Sequence, residues 1–411
     1  MTETGAASVP GLAEIADVGR DTVRGGYSRH LFDDADRQLR EWFAARAAGI
    51  GLDVDQDHNG NIWAWWGAPG PGALVTGSHL DSVPGGGAFD GPLGVVSALD
   101  AVQRLIASGV RPSRPVAVVV FAEEEGSRFG VPCLGSKLLT GEVAADKALA
   151  LTDATGCTLA EVMAGAGLDP ALAGRDDAML ARIGLFLELH VEQGRGLIDL
   201  GAPVGVASSV LGHGRWRLRF AGQGNHAGTT LMSDRRDPMV AAGATIAQIP
   251  GLARARAGAR ATVGRVEVTP GGTNVIASHV DVWLDCRAAE DEVTRALAAE
   301  IGAAAVRHAA AQGCTAELTQ ESWSGTVRFD DGPRVAIGEA LGGIPALPTG
   351  AGHDAGVLAA AVPTAMLFVR NPTGISHAPE EFASAEDCAA GVDALETALR
   401  SLAGQVAEGR S

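Results

Sequence analysis

The sequence predicts an α/β protein: a larger domain with a mixed sheet flanked by helices, interrupted by a smaller α+β insertion of ferredoxin-like βαββαβ order. Three observations carry this expectation. Strand–helix–strand alternation with a β-branched buried run opens the 411-residue chain. After about Val210 the strands become half-buried and alternate with two helices. From about residue 326 the buried-strand pattern returns and closes on a helix. The expected divisions are 1–210 and 326–411 for the larger domain and 211–325 for the insertion.

Each element has a local reason. Leu39, Trp42 and Phe43 recur at helical spacing within Asp34 to Ala48. Asn59-Gly60 signals a turn before strands at Ile62 to Trp66 and Ala73 to Gly77. Leu93 to Ala107 reads as a helix, Pro115 to Phe121 as a buried parallel strand, and Ile183 to Leu189 as an apolar run. In the insertion, Arg215 to Phe220, Thr262 to Val268, Val280 to Cys286 and Cys314 to Glu321 read as strands. Asp237 to Ile249 and Glu290 to Ala311 are its helices, the second with Val293, Leu297 and Ile301 on one face. Pro363 to Val369 and Ala385 to Leu402 complete the larger domain.

Composition narrows the function. The balance of 32 basic against 49 acidic residues gives −17, which argues against a nucleic-acid or anionic-membrane surface. Cys133, Cys157, Cys286, Cys314 and Cys388 are scattered and odd in number, so a reducing cytoplasm is expected rather than a disulfide framework. Met1 to Arg20 lacks a basic stretch followed by an apolar run, and no segment reaches the ~18 apolar residues of a membrane span.

Chemistry concentrates where strands end. His79 closes one strand, Asp81 follows two residues later, and a glycine-rich loop returns Asp90 toward His79. Metal-binding imidazoles commonly sit in such positions, with a carboxylate orienting the ring. Glu123, Glu124 and Glu125 directly follow a buried strand, where their repulsion calls for a cation; one Glu could then be ligand and another general base. His190 and His377 follow further apolar runs. Read singly, these are a loop with helix-capping acids, a solvated charge run and core histidines. Together they lie at C-terminal strand ends, where open α/β sheets bind ligands. His79, Asp90, Glu125, His190 and His377 could hold two metals sharing one carboxylate.

The motifs GSHLDSVPGGGAFDGPLGV, EEEGSRFG, ELHVEQG, NHAGTT with RRDP, GGTNVI, GAGHDAG and GISHAPEE resemble the allantoate amidohydrolase and N-carbamoyl-L-amino-acid hydrolase family, over about Gly25 to Leu402. That family belongs to the dinuclear metallo-aminoacylase and carboxypeptidase superfamily. The resemblance implies two divalent ions per subunit, zinc or manganese first, with cobalt and nickel compatible. It implies Asp90 as the bridging ligand, His79 and His377 on separate ions, and Glu125 and His190 on different ions. Which histidine completes each pair stays open. Glu124 aligns with the general base, Glu123 is an additional acid that leaves a one-residue ambiguity, and Asp81 would fix the tautomer of His79. The insertion is implied to serve dimerisation and lid closure, with His226 reaching the neighbouring subunit's site to stabilise an oxyanion. Asn274 and Arg287 resemble the pair that grips the substrate carboxylate, Gln193 is a polar substrate contact, and His353-Asp354 shapes the pocket. Leu231 replaces a proline common in relatives, which implies a less rigid loop behind His226.

The implied activity is hydrolysis of a ureido or carbamoyl C–N bond of a small carboxylate in a cytoplasmic homodimer. Allantoate is the first substrate, partly on the run Trp63-Ala64-Trp65-Trp66, and N-carbamoyl-L-amino acids are the alternative. An aminoacylase or peptidase of the same superfamily and a non-catalytic binding protein are the remaining readings.

Overall fold

The structure is a computed structural model that describes residues 9–404. The first eight residues of the stretch read above for a leader lie outside it. The chain forms two compact units, one holding the chain up to Ser209 and again from Arg328, the other Val210–Val327.

The first unit is built on a mixed nine-stranded sheet. Its strands are β1 (Asp53–Gln56), β2 (Ile62–Trp66), β3 (Ala73–His79), β4 (Val116–Phe121), β5 (Ile183–Val191) and β6 (Val204–Val210), with three more from the returning chain. The second unit contributes β7 (His213–Ala221), β8 (Asn225–His226), β9 (Arg260–Thr269), β10 (Val275–Ile276), β11 (His279–Arg287) and β12 (Thr315–Ser324). The returning strands are β13 (Val327–Arg328), β14 (Ala346–Thr349) and β15 (Thr364–Val369).

The large sheet runs β1-β2-β4-β3-β5-β15-β6-β13, with β14 on β6. Its centre, β4-β3-β5-β15, is parallel and buried on both faces, which is why these strands read as unbroken apolar runs. The helices Pro92–Ala107 and Ala385–Ala403 pack on each other and on this centre. Leu93, Val96, Leu99, Leu395 and Leu399 are all fully buried there. The Trp63 and Trp65 rings lie inside the fold at 0% and 1% exposure, stacked 6.0 Å apart. The tryptophan run that weighed toward allantoate is therefore largely core.

From β3 the chain adds β4 on one side and later β5 on the other, so order reverses at β3. Register aligns the strand ends. His79 pairs with Phe121 in β4, Gly77 with Glu188 in β5, and His190 with Phe368 in β15. The C-terminal edge of one sheet thus receives every motif singled out in this unit.

The second unit has the strand order β12-β7-β11-β9, antiparallel throughout. With the helices Pro238–Arg254 and Asp291–Ala311 packed against it, this is the βαββαβ arrangement the sequence predicts. Leu218, Phe220, Val282, Leu284, Leu297 and Ile301 form its own core.

Between β4 and β5 lie four helices the periodicity does not reveal: Leu134–Thr140, Ala145–Leu149, Leu159–Gly165 and Asp177–Leu180. Each is too short to repeat an apolar face. The third is marked by a capping box, Thr158 with Glu161.

Candidate dinuclear metal centre

His79 is the last residue of β3 and is fully buried. Its Nδ1 lies 3.1 Å from the Asp81 carbonyl oxygen and 3.5 Å from Asp81 Oδ1. The backbone carbonyl is thus the nearer group fixing this ring. The Asp81 carboxylate itself accepts the N–H groups of Glu124 and Glu125, at 3.2 and 3.0 Å. One acid therefore joins the end of β3 to the acidic turn after β4.

Asp90 is the hub. Its Oδ1 faces His190 Nε2 at 3.1 Å and His79 Nε2 at 3.6 Å, while its Oδ2 faces His377 Nε2 at 3.4 Å. His377 Nε2 also lies 3.4 Å from Glu125 Oε2. His79, Asp90 and His190 thus form one group of converging ligand atoms, and Asp90, Glu125 and His377 form another. In this grouping His79 stands with His190, and His377 with Glu125. His190 Nδ1 is engaged by the Val191 carbonyl at 2.8 Å, which turns Nε2 toward Asp90.

The acidic turn divides its three carboxylates. Glu123, with φ 55°, points back to accept the N–H groups of Arg128 and Phe129 at 2.7 and 2.8 Å. It closes the turn and takes no part in the cluster. Glu124 Oε2 lies 3.6 Å from His79 Nε2. Glu124, not Glu123, therefore stands beside His79.

The backbone of this loop depends on missing side chains. A Cβ on Gly87 would lie 2.1 Å from Glu381 Oε2, the oxygen that accepts the N–H groups of Phe89 and Asp90 at 3.1 Å each. Glu381 is buried and holds the Asp90 backbone, a role no spacing in the sequence signals. Gln193 donates to Asp90 Oδ2 at 2.8 Å and Ser376 Oγ at 2.9 Å. Its Oε1 is buried without a partner. His353 lies against His190, ring centroids 4.5 Å apart, and Asp354 accepts the Ser136 hydroxyl.

Electrostatics favour bound cations. Burial pushes Glu124 up to about 7, with Asp81 and Asp90 adding to the rise and His79 opposing it. Burial, Asp90 and Glu124 push Glu125 well above the usual carboxylate range. Burial also opposes ionisation of Asp90, but the His190 and His79 rings that face it outweigh this and hold it well down. Burial lowers His190, yet Asp90 outweighs it and raises the ring to about 9. Several carboxylates therefore share a dry site, a situation divalent ions relieve. The buried atoms His79 Nε2, His190 Nε2 and Glu125 Oε1 lack hydrogen-bond partners, as ligand atoms awaiting an ion would. The residues present fit two ions bridged by one carboxylate; imidazole and carboxylate donors suit zinc or manganese.

His226, Asn274 and Arg287 belong to the second unit. Pairing of β8 with β10 sets His226 opposite Val275, and the Ala227 N–H donates to the Asn274 carbonyl at 2.9 Å. His226 is exposed. Its loop is tied by Arg235, which donates to the carbonyls of Ala227 and Thr230, and by the Thr230 hydroxyl on the His226 carbonyl. These ties limit the loosening that Leu231 implied. Arg287 ends β11 at the far side, where its guanidinium meets Asp285 at 2.8 Å. β11 runs from His279 to Arg287, roughly 27 Å of extended chain, and Asn274 lies beyond its opposite end. One copy of this unit cannot bring Asn274 and Arg287 to the same carboxylate.

A mixed sheet whose C-terminal edge gathers two ligand groups around one aspartate is the arrangement of a candidate dinuclear metal centre. The family model for peptidase family M20/M25/M40 matches residues 75–401, and the chain belongs to that family. It is a hydrolase of the carbamoylase and allantoate amidohydrolase branch. It is 38% identical over 394 residues to an N-carbamoyl-L-amino acid amidohydrolase of Geobacillus stearothermophilus, covering 93% of this chain and 95% of the relative. It is 32% identical to an allantoate amidohydrolase of Bacillus subtilis, covering 92% and 93%. The solved structure of a hydantoinase/carbamoylase family amidase from Burkholderia multivorans superposes with TM-score 0.86 at 32% identity, covering 98% of each chain. No helix among the described residues is long and apolar enough to cross a membrane.

Proposed function

We propose that this enzyme hydrolyses the carbamoyl C–N bond of a small ureido carboxylate, with His79, His190 and Asp90 holding one divalent ion and Asp90, Glu125 and His377 the other. The observation that carries this reading is Asp90, whose two oxygens face the two groups separately, with Glu124 alongside. Two such ions would supply Lewis acidity and make water a nucleophile near neutral pH. Glu124, near 7, takes a proton from the attacking water and returns it to the leaving nitrogen. The carbamoyl carbon gains the water oxygen and loses the C–N bond. The products are an amine and carbamic acid, which gives ammonia and carbon dioxide. His226, in a homodimer, stabilises the oxyanion of the neighbouring site. Asn274 and Arg287 bind the carboxylate from two different copies, which the span of β11 supports.

Two substrates meet this description. The 38% identical relative supports an N-carbamoyl-L-amino acid. The motif resemblance and the 32% identical relative support allantoate. Ammonia release from both, on protein loaded with zinc or manganese, distinguishes them. Glu124→Gln is expected to lower kcat by about 10²–10⁴-fold with metal content unchanged. Full activity in that variant, or no metal-dependent ammonia release from either substrate, would overturn the reading.

A further inference from the structure

The base assigned above has an unexpected neighbour. Glu124 Oε1 lies 3.2 Å from Cys133 Sγ, while Oε2 faces His79. Among the described residues, the Cys133 thiol is the hydrogen-bond donor that reaches the Glu124 carboxylate. We propose that Cys133 is a positioning residue for the reaction: its S–H donates to Glu124 Oε1 and fixes which carboxylate oxygen faces the metal ligands. The inference rests on Glu124 being the proton-transfer group.

The fold has built this contact rather than left it to chance. Cys133 stands at φ 55° as the N-cap of the helix Leu134–Thr140, a left-handed conformation that a non-glycine side chain adopts at an energetic cost. Its N–H donates to the Glu124 carbonyl at 2.6 Å. The next two N–H groups go to the carbonyls of Glu123 at 3.0 Å and Ala122 at 2.8 Å. Three consecutive backbone bonds therefore lock the start of this helix onto the acidic turn. The backbone thereby fixes the Cα–Cβ direction from which the thiol reaches Glu124.

The thiol has the right chemistry for a permanent donor. It is 3% exposed, so water does not compete for it. Burial, with Glu124 and Asp354 nearby, pushes its pKa well up, and it stays protonated. An S–H donor is weak and pulls little on the proton that Glu124 must exchange. It restrains rotation of the carboxylate without quenching the base. A strong donor such as a lysine would hold Glu124 ionised and slow proton return.

The test compares Cys133→Ala and Cys133→Ser with wild type and with Glu124→Gln, all metal-loaded. Ala removes the donor, and Ser restores one of similar size. Misplacing a reacting group by about 1 Å costs about 10²-fold, so partial loosening of Glu124 is expected to lower kcat about 5- to 30-fold in Cys133→Ala. KM should stay within about twofold, because Cys133 touches neither a metal ligand nor the proposed substrate residues. Metal content should stay at the wild-type value, and Cys133→Ser should recover most of kcat. A role in packing alone would move melting temperature in both variants and leave kcat per folded enzyme unchanged. Cys133→Ala with wild-type kcat, beside an inactive Glu124→Gln, would overturn this inference and leave the proposed reaction standing. An active Glu124→Gln would remove the reaction's base assignment and this inference with it.

Discussion

Gly91→Ala should empty one metal position and spare the other. Gly91 has φ 84° and caps the helix Pro92–Ala107 immediately after Asp90. A Cβ there would lie 2.4 Å from His79 Cε1, 2.5 Å from Nδ1 and 2.6 Å from Nε2. Ordinary carbon contacts begin near ~3.5 Å, so the imidazole must retreat by about 1 Å. Metal–nitrogen distances tolerate only about 0.2 Å, roughly a fifth of that displacement. The ring has little room, being tied to the Asp81 carbonyl at 3.1 Å and stacked beside His190 with centroids 5.8 Å apart. The ion held by His79, His190 and Asp90 Oδ1 should be lost, and turnover should fall about 10²-fold or more. The group of Asp90, Glu125 and His377 should keep its ion. Backbone strain must be separated from this effect, because an alanine held at positive φ costs about 1–3 kcal/mol by itself. Gly156 supplies the control: its φ is 88° and a Cβ there meets nothing within 4 Å. Gly156→Ala should therefore show the strain in its melting temperature while keeping both ions and full turnover. Metal content per chain after gel filtration, melting temperature and ammonia release should be read on both variants. A Gly91→Ala enzyme with two ions per chain and the turnover of Gly156→Ala would refute the reasoning.

Further outcomes are expected elsewhere. If His226 serves the neighbouring site, mixing inactive His226→Ala with inactive Glu124→Gln should restore activity through hybrid dimers; no recovery after verified subunit exchange would count against it. Asp281 meets Arg219 directly across β7 and β11 in two bonds of 2.8 Å, which hold its pKa below the ordinary 3.8. The folded state then gives up this proton more readily than the unfolded state. Its stabilisation is full above about pH 3.8 and is lost as pH falls through the lowered folded value. Because Arg219 is half exposed, Asp281→Asn should cost only about 0.5–1 kcal/mol near pH 6, with the difference from wild type shrinking in melts at lower pH. Leu231 has φ −59°, which a proline ring matches, so Leu231→Pro should stabilise by about 0.4–1 kcal/mol in thermal melts if that loop is already ordered.

The candidate site was legible because each of its motifs follows a strand, and a parallel sheet brings strand ends to one edge. His79 and His190 needed only that rule, and the acidic run at Glu123 to Glu125 was placed by it without being divided. Glu381 and Cys133 were not legible. Glu381 touches Asp90 across 291 residues, and Cys133 turns on a backbone angle that no composition or period records. The helix expected to stop at Ile249 continues through Pro250 to Arg254, because Ile249 and Ala253 bury on the second unit's core and outweigh the lost backbone bond. β1, with the sequence Asp-Val-Asp-Gln, is exposed along its length and lacks the apolar alternation that would announce it.

The sequence by itself determined the layers, the order of the longer elements and the residue types that could hold metal. Apolar period and chemical type are properties of neighbouring residues. Only the tertiary structure decided which candidate ligand atoms converge on each oxygen of Asp90, which of three adjacent glutamates faces the cluster, and that Asn274 and Arg287 stand apart along β11. Those outcomes depend on strand register and on the direction a backbone turns. They are fixed when distant segments pack, and a linear pattern does not encode them locally.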